Sequence, residues 1–164
     1  MDELEEKVRT ANREYHDDID PDTYDQNKSI FNEDRQKAIR KRLETMAGAG
    51  DRLLDVGCGT GNIVRMADDY FRKIFGVDIS RNMLRQAVRS QEHGSSFAQS
   101  DGTRLPFGSE TFDAVSFYAI LHHFPDPAQF LREGARVLRT GGYLYTDHDP
   151  NYYLVRFYFP IFKF

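Results

Sequence analysis

Leu53-Leu54-Asp55-Val56-Gly57-Cys58-Gly59-Thr60-Gly61-Asn62, LLDVGCGTGN in one-letter code, decides the fold. An apolar run with a carboxylate gives way to three glycines at alternate positions, and then to helical spacing. Glycine lets a backbone turn tightly and lets a ligand approach main-chain atoms. The stretch therefore reads as a buried strand, a glycine turn and a helix. The helix starting near Asn62 points free N–H groups at the same space, which suits a carboxylate or phosphate. A plain strand–helix turn would account for the glycines alone. It does not account for Asp55 in D-x-G-x-G-x-G together with acids at the next strand ends.

Outward from this stretch, strand and helix patterns alternate. Residues 52–56, 73–78 (KIFGVD), 96–99, 112–118 (FDAVSFY) and 143–147 (YLYTD) read as five strands. Residues 62–71 read as a helix with Ile63, Val64, Ala67, Tyr70 and Phe71 on one face. Ser80 caps a helix carrying Met83, Leu84, Ala87 and Val88. Asp126 and Pro127 open another, running to about Arg139 and closed by Gly141-Gly142. Upstream, Asn32 caps a helix with the stripe Ala38, Ile39, Leu43, Met46 and Ala47, ended by Gly48 and Gly50. Residues 1 to about 30 are polar and acidic, and the aspartate-rich EYHDDIDPDTYDQN around Pro21 reads as a loop or mobile arm. Strand–helix alternation implies parallel strands covered by helices on both faces, and right-handed crossovers give a doubly wound α/β sheet. Ligands of such sheets bind at the carboxyl ends of the strands, near the point where strand order reverses.

Composition narrows the partners. The 164 residues suffice for one domain, with 40% hydrophobic and 29% charged residues. A net charge of -4 argues against a nucleic-acid backbone as main partner. The single cysteine, Cys58, makes neither a disulfide framework nor a zinc site. MDELEEKVRT lacks the apolar segment of a signal peptide, and no apolar run reaches membrane-spanning length. A cytoplasmic location is expected.

Two further acids follow the glycine turn. Asp78 ends the second strand, where a carboxylate can accept both hydroxyls of a ribose; the bland alternative is a helix cap, which Ser80 already offers. Asp101, in AQSDGTRLPF, can accept from an adenine amino group, or serve as a turn aspartate beside Gly102. A dinucleotide loop would have Gly or Ala where Asn62 stands, and no Walker lysine follows. Three carboxylates without a basic partner near the loop suit a cofactor carrying a sulfonium and an ammonium better than a pyrophosphate.

LLDVGCGTGN, GVDIS (76–80), SDGTRLPF (100–107), FDAVSFYAILHHFPDP (112–127) and VLRTGGYLY (137–145) resemble the successive motifs of class I S-adenosylmethionine-dependent methyltransferases of the type 11 kind, over about residues 50–150. The resemblance implies a mostly parallel Rossmann-like sheet of order 3-2-1-4-5. It implies S-adenosyl-L-methionine as cofactor and S-adenosyl-L-homocysteine as product. Gly57, Cys58, Gly59 and Gly61 would lie against the cofactor, with Asp55 near its methionine amino end. Asp78 would hold the ribose, with Ile79 beside the adenine, Asp101 and Gly102 at the adenine edge, and Tyr118 at the methionyl part. The implied division is 1–47 as an N-terminal arm and helix covering the cofactor, 48–150 as the binding core, and 151–164 as an aromatic tail. Tyr15 and the pair Tyr24-Asp25 fall where such enzymes often carry a mobile cover.

Two histidine patterns stand outside these motifs. Adjacent histidines rarely aim at one ion, so His122-His123 is read without a metal. Asp147-His148-Asp149 ends the fifth strand on the cofactor edge, where one member could contact substrate or remove a proton, or all could form a solvated turn.

The family fold usually continues past the fifth strand with a helix and two strands. The 14 residues NYYLVRFYFPIFKF cannot supply both strands, so the fifth strand is expected to expose an edge and the chain to be a truncated form. The tail is then expected to pack on the core, to self-associate at that edge, or to touch a membrane peripherally. The expected function is methyl transfer to a small-molecule or lipid-like acceptor, with no catalytic residue declared by the motifs. The alternative is a non-catalytic cofactor-binding or assembly module with the same fold.

Overall fold

A computed structural model describes residues 3–24, 32–91, 94–124 and 126–149, and the backbone of 161–163. Its strands are β1 (Arg52–Val56), β2 (Lys73–Asp78), β3 (Ser96–Gln99), β4 (Phe112–Tyr118), β5 (Leu138–Asp147) and β6 (Ile161–Lys163). They form one sheet of order β3-β2-β1-β4-β5-β6. The first five pair in parallel, with the strand order 3-2-1-4-5. The four strands expected before residue 120 fall on the expected residues.

Period-two alternation along β1 sends its side chains to two cores. Leu53 packs with Ile39, Leu43 and Met46 of α3 (Glu33–Ala47) and with Ile63 and Val64 of α4 (Asn62–Ala67). Leu54 and Val56 pack on the opposite face with Val115, Phe117 and Leu144, and with Phe130 and Val137 of α6 (Ala128–Val137). The caps read from the sequence are made: Asn32 accepts from the Arg35 amide at 3.0 Å, and Ser80 accepts from the Met83 amide at 3.2 Å, opening α5 (Arg81–Arg89).

Three expectations are corrected. The stretch read as a loop, 14–27, is largely helical where it is described: α1 spans Glu3–Asp18 and α2 spans Pro21–Tyr24. Acids in the first turn suit the helix dipole, and Lys7 pairs with Glu3 one turn earlier at 2.6 Å. Helix α6 stops at Val137, and β5 begins at once, passing through Gly141-Gly142. Its register against β4 jumps between Phe112 and Ala114, which face Leu138 and Tyr143, and the left-handed Gly141 (φ 82°) lies in the extra chain. Finally, the outer edge of β5 is not bare: β6 pairs antiparallel with Tyr143–Tyr145. Of the tail 151–164, on which with the β5 edge the expected self-association and membrane contact rest, residues 151–160 and 164 lie outside the described residues.

Candidate functional site

The carboxyl ends of β1, β2 and β4 and the residues after β3 surround one cavity. Asp55, Gly57, Cys58, Gly59, Asp78, Ile79, Asp101, Gly102 and Tyr118 all line it; of the residues expected there, Gly61 does not. Gly61 instead caps α4 with φ 85°, and a Cβ there would stand 3.3 Å from Ala87. The three glycines of the loop thus have different tasks. All have left-handed φ, but a Cβ on Gly57 would come within 2.1 Å of Ile120, whereas one on Gly59 would meet nothing within 4 Å. Gly59 is the one whose missing side chain leaves open space.

Asp55 is 1% exposed. Its Oδ1 accepts from the Ser116 hydroxyl at 2.6 Å, and its Oδ2 is buried without a partner among the described residues. Burial, opposed by Ser116 and reinforced by Asp78, pushes its pKa up to about 7. An unpartnered buried carboxylate oxygen costs free energy until a donor or cation arrives.

Asp78 Oδ2 accepts from the Gly59 amide and Oδ1 from the Ser80 amide, both at 2.8 Å. It ties the glycine loop to the start of α5. Burial still raises its pKa, against these two bonds. Asp101 is more committed: Oδ1 accepts from the Thr103 amide at 2.9 Å and Oδ2 from Arg9 at 3.2 Å. Both readings of Asp101 meet in one residue, a turn former that also faces the cavity. A Cβ on Gly102 would strike Phe130 at 2.4 Å, so this glycine is required by packing. Burial pushes the Cys58 thiol well up, which makes it an inert wall.

Of the roof, the sequence reading named Tyr24 and missed Asn12 and His16. Asn12 and His16 of α1 and Tyr24 of α2 line the cavity, while Tyr15 is 63% exposed and Asp25 lies outside the described residues. Asn12 donates to the His123 carbonyl at 3.1 Å, and the His16 ring meets those of Tyr24 and His123 edge-on at 6.3 and 5.3 Å. The available signal was the spacing Arg9, Asn12, His16, which sets three polar side chains on one helical face. Asp147, His148 and Asp149 stand beside the cavity wall without lining it: the His148 ring stacks on Tyr118 at 5.9 Å.

No lysine or arginine lines the cavity among the described residues, and three acids do, the buried Asp55 and the half-buried Asp78 and Asp101. That donor set fits a ligand with a cationic end and hydroxyls, and disfavours a pyrophosphate.

A family profile described as a methyltransferase domain matches residues 54–146. The chain is 35% identical over 120 residues to the 27-O-demethylrifamycin SV methyltransferase of Amycolatopsis mediterranei, covering 66% of this chain and 44% of that one. It is 40% identical over 107 residues to a fatty-acid O-methyltransferase of Mycolicibacterium smegmatis, covering 63% and 39%. Among solved structures, the PH0226 protein of Pyrococcus horikoshii superposes with a TM-score of 0.67 at 30% identity, covering 81% of this chain and 64% of that one. The chain spans less than half the length of these two curated relatives.

Proposed function

The chain belongs to the methyltransferase-domain family, of class I, and from that premise we propose that it binds S-adenosylmethionine over the glycine loop and transfers its methyl group to a small-molecule or lipid-like acceptor. The observation that carries this reading is Asp55 Oδ2, a buried carboxylate oxygen that, among the described residues, has no partner and stands at the wall of a cavity lined by no lysine or arginine. The methionine ammonium supplies that partner. Gly59 leaves room for the ligand against the main chain, Asp78 accepts from the ribose while holding the loop, and Ile79, Asp101 and Gly102 border the adenine. Cys58 and Tyr118 close the walls.

When bound, the cofactor supplies an activated methyl and its own leaving group. The chain's residues then align the acceptor and exclude water. Relatives named for O-methylation of a demethylrifamycin and of fatty acids support an apolar acceptor methylated at oxygen. Residues 1–47 serve as the cover and 48–150 as the binding core.

Thermal shift and calorimetry test the reading. S-adenosylmethionine and S-adenosylhomocysteine should raise Tm, and NAD should not. Asp55→Asn should weaken S-adenosylhomocysteine binding by about 2 kcal/mol, the worth of a charge-assisted bond. No response to either ligand in the folded chain would remove the cofactor assignment.

A further inference from the structure

An ammonium at Asp55 and a ribose at Asp78 occupy the ends of β1 and β2, and the ends of β4 and β5 carry a different cluster. Tyr118, ending β4, lines the cavity, and the His148 ring stacks on it at 5.9 Å. Arg35, exposed in the first turn of α3, donates from its guanidinium to Nδ1 of His148 at 2.6 Å. The Tyr118 hydroxyl faces the same guanidinium: burial and Asp147 raise the Tyr118 pKa, and Arg35 opposes the rise.

The acids of this cluster are engaged. Asp147 Oδ1 accepts the His148 amide at 2.7 Å, and its Oδ2 accepts the Tyr145 hydroxyl at 3.2 Å and lies 3.9 Å from Nε of Arg42. Asp149 Oδ1 accepts the His122 amide at 3.2 Å, and its Oδ2 accepts the Thr146 hydroxyl at 3.1 Å. Arg35 differs, because no carboxylate among the described residues pairs with it within 4 Å. Burial and Arg35 hold the His148 pKa below its ordinary value, so the ring that receives this cation is neutral. A guanidinium bonded to neutral groups, beside the cavity wall, is matched by one planar anion. A carboxylate fits its fork of N–H groups. A dianionic phosphate would meet Asp147 and Asp149 with a single uncommitted cation against them.

We propose that Arg35 binds the carboxylate of an apolar acid, and that this carboxylate is the group methylated. The methyl-transfer part rests on the cavity being the S-adenosylmethionine site. Ala119 and Ile120, next to Tyr118 in the chain, continue the cavity wall with apolar groups for the body of the acid. The step moves no proton. A lone pair of one carboxylate oxygen forms the new O–CH3 bond, while the pair of the old C–S bond stays on sulfur. The acid loses its negative charge and sulfur its positive one, so both products are neutral. Arg35 thus holds the substrate by a charge that the product no longer has, which favours release of the ester.

Two measurements test this on the intact chain. Octanoate is first titrated in without cofactor and followed at the His148 ring by 1H–15N NMR. The ring signals should move, and Arg35→Gln should weaken octanoate binding about 30-fold, the worth of hydrogen bonds to a charged group. Arg35→Lys, which keeps the charge and loses the fork, should fall between the two. A His148 ring that does not respond, or an unchanged octanoate affinity in Arg35→Gln, overturns the proposal. Methylation is then assayed with S-adenosylmethionine and octanoate, 1-octanol or octyl phosphate. Methyl octanoate should be the main product, with KM for octanoate raised about 30-fold in Arg35→Gln and S-adenosylhomocysteine affinity at the wild-type value. Preferred methylation of octanol or octyl phosphate overturns the carboxylate class. A chain that binds S-adenosylhomocysteine but no octanoate overturns the acceptor alone. A chain that binds octanoate through Arg35 but no S-adenosylhomocysteine overturns the cofactor reading and leaves the carboxylate site standing.

Discussion

The floor and the roof of the cavity are built on opposite principles. The floor is the β1 and β4 strand ends, where Leu53, Leu54, Ala114 and Val115 are fully buried and Asp55 is carried into the core with them. The roof is α1, which has no buried residue at all. It is held by polar contacts: Arg9 to Asp101, Asn12 to the His123 carbonyl, and Asp17 to the Ser80 hydroxyl at 2.6 Å and the Asn82 amide at 3.2 Å. Apolar burial contributes roughly 25 cal/mol per Å2, whereas each hydrogen bond nets about 1 kcal/mol, because water competes for it. The floor is thus bound to the global stability of the protein, and the roof can part from it at small cost.

The largest effect that would sharpen this contrast is expected at Gly57. Gly57→Val places a β-branched residue at φ 73° with its Cβ within 2.1 Å of Ile120. A loss of about 3 kcal/mol or more in unfolding free energy is expected by urea denaturation. Gly59→Val, where the Cβ meets nothing, should cost only the left-handed strain of about 1–2 kcal/mol while abolishing S-adenosylhomocysteine binding. Equal destabilisation at both positions would break the distinction between packing and ligand approach.

Asp55 comes next. Its folded pKa is about 7, above the unfolded value of 3.8. The native state therefore holds a proton that the unfolded state has released between those values. Stability from this group is full below about pH 4, falls as pH rises toward 7, and levels off above. Asp55→Asn should remove this decline, a difference on the order of a few kcal/mol in urea midpoints compared at pH 5 and 8. Parallel pH profiles for the two proteins would show that the floor carries no such strain.

A smaller effect is expected at the roof. Asp17→Ala removes two hydrogen bonds that join α1 to α5. Amide exchange in α1 should quicken about 30-fold, in line with about 1 kcal/mol for each of the two bonds lost, while exchange in β1 and β4 and the global melt change little. Quickening of the core amides to the same degree would mean that roof and floor unfold together. Glu3→Gln should do least: the Glu3 and Lys7 side chains are 82% and 71% exposed, and the melt should move within the equivalent of about 0.5 kcal/mol.

The same contrast explains what was legible in the sequence. The strands of the floor announce themselves because most buried positions are apolar, as in FDAVSFY, every residue of which is buried and in which Asp113 and Ser116 are the exceptions. The glycine loop is legible because three positive-φ positions in a row of five favour glycine. Helix α1 carries no such mark: its partners lie 63–111 residues away and its contacts are polar, so ELEEKVRTANREYHDD looks like solvated chain. The end of α6 was misplaced because Gly141-Gly142 read as a helix stop, whereas Gly141 serves a strand irregularity. The ring partners of His122 and His148, Asp149 and Arg35, lie 27 and 113 residues away, and only the pairing of distant segments could assign Arg35 to His148.

Because α1 is so polar, it also sets a schedule. It leaves the ribosome before any of its distant partners exists, and His123, the furthest, follows Asn12 by 111 residues. At about 5–20 residues per second, that is a wait of roughly 5–20 s. A helix of this length is marginal alone in water, and one with an apolar inner face would spend the interval exposed to other chains. With charged and amide groups toward its eventual dock, α1 can wait in solution, melting and re-forming, and close over the strand ends after they have assembled.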